Sequence, residues 1–149
     1  MKAPEFNLLD QNGDAHTLSQ YKGQFVLLYF YPKDDTPGCT IEACSFRDNL
    51  SELKKLKVVV LGASGDDVGS HGKFVKKFDL NFPLLADTDN EVGKAYSVFG
   101  EKTLFGKLIM GYHRQSFLIS PDGEIVKHYE DVKPAEHVAE IIADVKKYA

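Results

Sequence analysis

An α/β fold built on one central mixed sheet is what this sequence predicts, and three observations carry the prediction. Short apolar runs rich in β-branched and aromatic residues alternate with helical stretches through the middle of the chain. Two strands separated only by a turn lie near the end. No internal repeat and no shift in composition divides the 149 residues, so they are expected to form one domain. The alternation implies parallel strands with helices on the sheet faces, and the late pair adds antiparallel strands. A chain of this length buries enough surface to stand without a disulfide or a metal.

The elements follow in order. Asn12-Gly13 readily takes positive φ and is flanked by the apolar pieces 6–9 and 16–18, so the chain opens with an N-terminal β-hairpin. Residues 24–31 (QFVLLYFY) are continuously apolar, as in a central strand covered on both faces. After a loop at 32–38, Ala43, Phe46, Leu50, Leu53 and Leu56 recur at helical spacing. Residues 58–61 read as a second buried strand that Gly62 ends, 70–78 as a helix with Phe74, Val75 and Phe78 on one side, and 84–86 as a short strand. Asp89 is a candidate cap for a helix over roughly 91–99. Glycines at 100, 106 and 111 then mark a loop up to Gln115. Strands at 115–120 and 124–129 surround the turn Pro121-Asp122-Gly123. Past Pro134, Val138, Ile141, Ile142 and Val145 repeat at i, i+3, i+4 and i+7, the clearest helix of the chain.

Composition excludes several functions. A net charge of −4, with basic residues scattered apart from Lys54, Lys55 and Lys57 at a helix end, argues against nucleic acid as a partner. The longest apolar run, 25–31, is far short of the ~20 residues that cross a bilayer. The first residues, Met-Lys-Ala-Pro-Glu-Phe, have neither an apolar signal core nor transit-peptide character, so a cytoplasmic location is expected. The five histidines, at 16, 71, 113, 128 and 137, show no i, i+4 pair and none is close in sequence to a cysteine, so spacing offers no zinc ligand set. There is no P-loop and no dinucleotide fingerprint, and no cofactor is expected. Gly62-Ala-Ser64-Gly65-Asp66 has Asp where a nucleophile elbow requires its last Gly.

Two cysteines with no secretion signal do not make a disulfide framework, and such a pair is catalytic, metal-binding or buried. With Thr36 as N-cap and Pro37 at the first helical position, Cys39 falls in the first turn, beside unpaired backbone N–H groups and the positive end of the helix dipole. Those surroundings favour thiolate over thiol, and Gly38 leaves the approach to the sulfur uncrowded, which suits a nucleophile. Cys44 fits a buried small hydrophobe as readily as a chemical role. Five residues along an ideal helix turn it by roughly 140° and raise it by ~7.5 Å, a Cα separation of roughly 8.7 Å. That exceeds the ~7 Å limit for a disulfide, so any bond between the two requires the first turns to unwind.

The stretch Pro32-x-x-x-Thr36-x-x-Cys39 resembles the active-site motif of the peroxiredoxins, and Thr36-Pro-Gly-Cys-Thr-Ile-Glu-Ala-Cys44 resembles their PrxQ, or bacterioferritin comigratory protein, type. The likeness continues through Ser70-His71-x-Lys73-Phe74, Phe82-Pro83-Leu84-Leu85-x-Asp87 and Gly111-x-x-Arg114-x-Ser116-Phe117-Leu118-Ile119. The resemblance implies a thioredoxin-like fold in which Cys39 attacks the peroxide O–O bond and becomes a sulfenic acid. It further implies that Cys44 resolves this acid as an intramolecular disulfide, which thioredoxin or a similar dithiol reduces. By the same resemblance Thr36 holds peroxide and thiolate through its hydroxyl, Pro32 shields the site, Arg114 stabilises the charge, and the protein is a monomer. Glu42, one turn after Cys39, either orients Arg114 or favours the helix start. His113 reads as an exposed histidine. Two other functions compete: a general thiol–disulfide oxidoreductase of thioredoxin type, which typically uses Cys-x-x-Cys, and a non-catalytic thioredoxin-fold binding module with two inert cysteines.

Overall fold

Six successive apolar residues leave a strand no face to turn to water, and Phe25–Phe30 is buried at every position. In the computed structural model, which describes residues 1–148, β1 (Asn7–Leu9) and β2 (Ala15–Thr17) form the opening hairpin ahead of this strand, β3. After it come α1 (Pro37–Lys55), β4 (Val58–Ser64), α2 (Val68–Phe78), β5 (Leu84–Ala86) and α3 (Glu91–Ala95). The chain ends with β6 (Phe99–Leu104), β7 (Lys107–Tyr112), β8 (Gln115–Ile119), β9 (Ile125–Tyr129) and α4 (His137–Tyr148). Seven strands make one sheet in the order β2-β1-β5-β4-β3-β8-β9, in which β3 runs parallel to β4 and antiparallel to β8. The predicted mixed sheet with helices on its faces is what forms.

The alternation of β3 feeds two cores. Leu27, Tyr29 and Tyr31 point to one face, where Phe46 and Leu53 of α1, Phe74 of α2 and Val138, Ile141 and Val145 of α4 cover them. Val26, Leu28 and Phe30 point to the other, against Leu61, Ala63, Leu85, Tyr96, Tyr112 and Phe117. No polar face therefore breaks the apolar run in the sequence. Among the described residues no helix is long and apolar enough to cross a membrane.

Three expectations fail. β4 does not end at Gly62 but continues to Ser64, and Gly62 sits between Tyr29 and Leu84 in the sheet register. A Cβ there would lie 2.8 Å from Leu84 Cδ2 and 2.9 Å from the Tyr29 ring, so the glycine serves close packing rather than a turn. The helix expected over 91–99 stops at Ala95, where the chain turns through Ser97 at φ 60 into β6. Its cap residue is Asn90, and the first-turn N–H groups of Val92 and Gly93 donate to the Asp87 carboxylate at 3.2 and 2.8 Å, while Asp89 serves only Glu91 N. The glycine-marked loop is instead the antiparallel hairpin β6–β7, turning at Phe105 (φ 52) and Gly106 (φ 77), as a primed turn requires. Its Leu104, Phe105, Leu108, Ile109 and Met110 are exposed, so no apolar alternation marks it.

Replacing Gly62 by Ala forces a methyl group against the Tyr29 ring and Leu84. The expected loss is about 1–3 kcal/mol of stability, read as a lower urea midpoint with unchanged slope.

Candidate active site

The loop from β3 to α1 is tied down before it reaches the first cysteine. The Asp34 carboxylate accepts hydrogen bonds from Tyr31 Oη (2.5 Å) and Ser70 Oγ (2.8 Å) and faces His71 Nδ1 at 2.7 Å. His71 Nε2 donates to the Leu85 carbonyl at 2.9 Å, so the Nδ1–Asp34 contact needs a second proton of its own. Asp34 N in turn donates to Asp66 Oδ2 at 2.8 Å. Asp34, Asp66 and His71 offer atoms within 4.8 Å of one another, a grouping drawn from three parts of the chain that no spacing in the sequence showed. Their atoms are engaged with each other and with Tyr31, Ser64 and Ser70, and their effect is to fix the loop against α2 and β5.

Pro37 takes the first helical position of α1, as its fixed φ allows, and Thr36 is the extended residue before it. Thr36 does not cap the helix with its side chain, however: its Oγ1 donates to the Lys33 carbonyl at 2.9 Å. Pro32 and Thr36 are both half-buried in this loop.

Cys39 follows in the first turn and is only 1% exposed. The approach to its sulfur is not open, because Gly38 makes room for a side chain instead: a Cβ there would stand 3.0 Å from Arg114 Nη2. That guanidinium, held just before β8, donates from Nη2 to Cys39 Sγ at 3.3 Å and from Nη1 to Glu42 Oε1 at 2.8 Å. Of the two readings of Glu42, the geometry gives it contact with Arg114. Burial opposes the charge on Arg114, but Cys39 and Glu42 beside it hold its pKa above the ordinary value. The Glu42 side chain is fully buried, and its pKa is pushed up to about 7 by that burial, which Arg114 only partly offsets.

Cys44 is half-buried, and both cysteines are free thiols on the same helix. Arg114, Glu42 and Cys39 are thus brought together, while Cys44 stands apart, one helical turn and more further along. His113 is half-buried rather than exposed, with Nε2 on the Glu101 carbonyl at 3.1 Å. The sequence reading missed two groups. Tyr29 Oη is buried with no hydrogen-bond partner among the described residues, and its pKa is raised first by burial and then by Glu42 and Cys39. Lys102, in the middle of β6, donates to the Tyr112 carbonyl at 2.8 Å, and its pKa is lowered by burial and then by Arg114, which brings a second cation toward the site. An apolar strand and a supposed loop gave no signal for either.

A buried thiol at a helix start, bonded to an arginine at the entry of a strand of a mixed sheet, defines a thiol enzyme on a thioredoxin-like fold. Residues 1–128 match the model of the AhpC/TSA family, and the chain belongs to that family. Within it, the chain is similar to the curated relatives named peroxiredoxin Bcp. That of Bacillus subtilis is 44% identical over 145 residues, covering 97% of this chain and 92% of the relative. That of Escherichia coli K12 is 46% identical over 147 residues, covering 99% and 94%. Among solved structures, a Xanthomonas campestris bacterioferritin comigratory protein, studied for alkyl peroxide reduction, superposes with a TM-score of 0.90 at 38% identity, covering 96% of this chain and 91% of that one. It is a peroxiredoxin of the Bcp, or PrxQ, type, and so a thiol peroxidase; the non-catalytic reading falls.

Arg114→Lys keeps a charge but cannot bond sulfur and carboxylate at once. Its second-order rate with hydrogen peroxide, followed by stopped flow, is expected to drop by roughly 10²-fold, the scale of losing one fixed donor to a developing charge.

Proposed function

We propose that Cys39 is the peroxidatic thiol, Cys44 the resolving thiol, and a thioredoxin-like dithiol the reductant. The observation that carries this reading is the Arg114 guanidinium bridging the buried Cys39 sulfur and Glu42. The thiolate sulfur attacks one peroxide oxygen and the O–O bond breaks. The other oxygen leaves as alcohol or water after taking a proton, and Cys39 becomes a sulfenic acid. Arg114 stabilises first the thiolate and then the charge developing on the departing oxygen. Thr36 Oγ1 already donates to the Lys33 carbonyl, so its lone pairs are free to accept the hydrogen of a peroxide; Pro32, beside it in the loop, shields the sulfur from water.

Resolution follows when the Cys44 sulfur attacks the sulfenic sulfur and water leaves. Two residues five apart on one helix stand roughly 8.7 Å apart at Cα, so α1 opens at its first turns to let them meet. The reductant then returns both thiols by two exchange steps. Hydrogen peroxide and organic hydroperoxides are the substrates, a monomer is the working unit and the cytoplasm its place. The likeness to a Xanthomonas protein studied for alkyl peroxide reduction supports the organic substrates.

The test is the intact mass of reduced protein quenched within seconds of one equivalent of hydrogen peroxide. Loss of two hydrogens without dimer is expected; gain of one oxygen removes Cys44 as resolver, and an unchanged mass removes Cys39 as nucleophile. Cys39→Ser abolishes turnover, whereas Cys44→Ser consumes one peroxide per chain and then stops in a coupled thioredoxin assay.

A further inference from the structure

Glu42 occupies a place in the chain that its contact with Arg114 does not explain. It lies between Cys39 and Cys44, on the part of α1 that opens before the two sulfurs meet. In the closed helix its side chain is fully buried; Oε1 accepts from Arg114, and Oε2 finds no hydrogen-bond partner among the described residues. The titratable and charged groups around it are Arg114 from the β7–β8 junction, Cys39 one turn back on α1, and Tyr29 from β3. Arg114 is the only cation among them, and it is shared with the Cys39 sulfur. A carboxylate with one oxygen buried and unpaired is costly, and the neutral acid much less so.

We propose that Glu42 is a proton-linked latch on α1: its carboxyl group holds a proton while the first turns are closed and gives it up to solvent when they open for the Cys39–Cys44 bond. The latch rests on the two-cysteine reading. Its balance is simple. Cys39–SOH and Cys44–SH give the disulfide and one water, and the opened Glu42 goes from acid to carboxylate with one proton released to the medium. The dithiol then reduces the disulfide to two thiols, supplying both hydrogens and becoming a disulfide itself, and as the helix closes Glu42 takes one proton back from the medium.

The direction with pH follows from burial. The closed helix holds the Glu42 proton up to about pH 7, whereas in water the group titrates near its ordinary 4.5. The closed form therefore has its full advantage below the ordinary value and loses it as pH rises towards 7, after which nothing further changes. Opening gains by at most about tenfold per pH unit inside that window.

The experiment equilibrates the protein with dithiothreitol buffers of graded redox ratio between pH 5 and pH 8. Both couples exchange two thiols for one disulfide, so those protons cancel, and contributions of Cys39 itself are largely common to wild type and Glu42→Gln. Between pH 5 and pH 7 the wild type is expected to shift toward the disulfide, relative to Glu42→Gln, by roughly tenfold or more in total, with parallel curves above. Parallel curves over the whole range overturn the latch. A second readout needs no variant: at pH 6 the reduced wild type should show the infrared carbonyl band of a buried protonated carboxyl, lost when the disulfide forms. A reduced protein without that band overturns the latch as well. Should neither protein form an intramolecular disulfide at any pH, the two-cysteine reading and the latch fail together, whereas a disulfide with parallel pH curves sinks the latch alone.

Discussion

One guanidinium serves two buried acids. Arg114 donates to the Cys39 sulfur and to Glu42 from adjacent nitrogens, and both of those groups lie out of water. A single positive charge cannot neutralise two negative ones in such a place, so the trio as a unit retains a proton or accepts a steep electrostatic penalty. Everything around it keeps this arrangement fixed. The loop before α1 is held by the Asp34 network, Gly38 yields the space that the guanidinium fills, and Arg114 is set just before β8, the antiparallel neighbour of β3. Lysine could supply the charge but not the fork that reaches both partners.

The position of β3 explains why a central sheet strand can serve the site. Odd residues, with Tyr29 and Tyr31 among them, face the layer of α1, α2 and α4, and even residues face the opposite core. The site thus grows from the C-terminal end of a strand that is locked on both faces. The hydroxyl of Tyr31, the first residue past β3, bonds Asp34, so the end of the strand that anchors the core also anchors the loop. Parallel neighbours on one side and an antiparallel one on the other bring α1 and the β8 entry to the same edge, although Cys39 and Arg114 are far apart in sequence.

Much of this was legible in the chain. The continuous apolar run of β3, the 3.6 period of α4 and the Asn12-Gly13 hairpin are local signals, and local signals were read correctly. Thr36-Pro-Gly-Cys located the helix start and its thiol. The failures share one cause, which is that the deciding contact came from elsewhere in the fold. Gly62 looked like a strand end until Tyr29 and Leu84 closed around it. Asp89 looked like a cap, but it takes only the Glu91 N–H, and Asp87, from before the turn, takes those of Val92 and Gly93. The β6–β7 hairpin shows its apolar side chains to solvent, so the period that betrays a half-buried strand is absent. Gly38 was taken to open the way to sulfur because no spacing shows that Arg114 fills that space. His71 reaches the loop before Cys39, and Tyr29 the surroundings of Glu42, through long-range packing alone.

Helix α1 runs for nineteen residues, and only its beginning lies between the cysteines; Phe46, Leu50 and Leu53 bind the remainder into the core. Under the proposed cycle the stiffness of those first turns sets the lifetime of the sulfenic acid. While they stay closed, a second peroxide competes with Cys44 for the same sulfur, and that reaction ends in a sulfinic acid that thiols do not restore. The helix is therefore a clock. Its local stability decides the dose of oxidant at which the protein passes from a renewable scavenger to a spent one, and the same sequence that shelters the thiol also limits how much peroxide it survives.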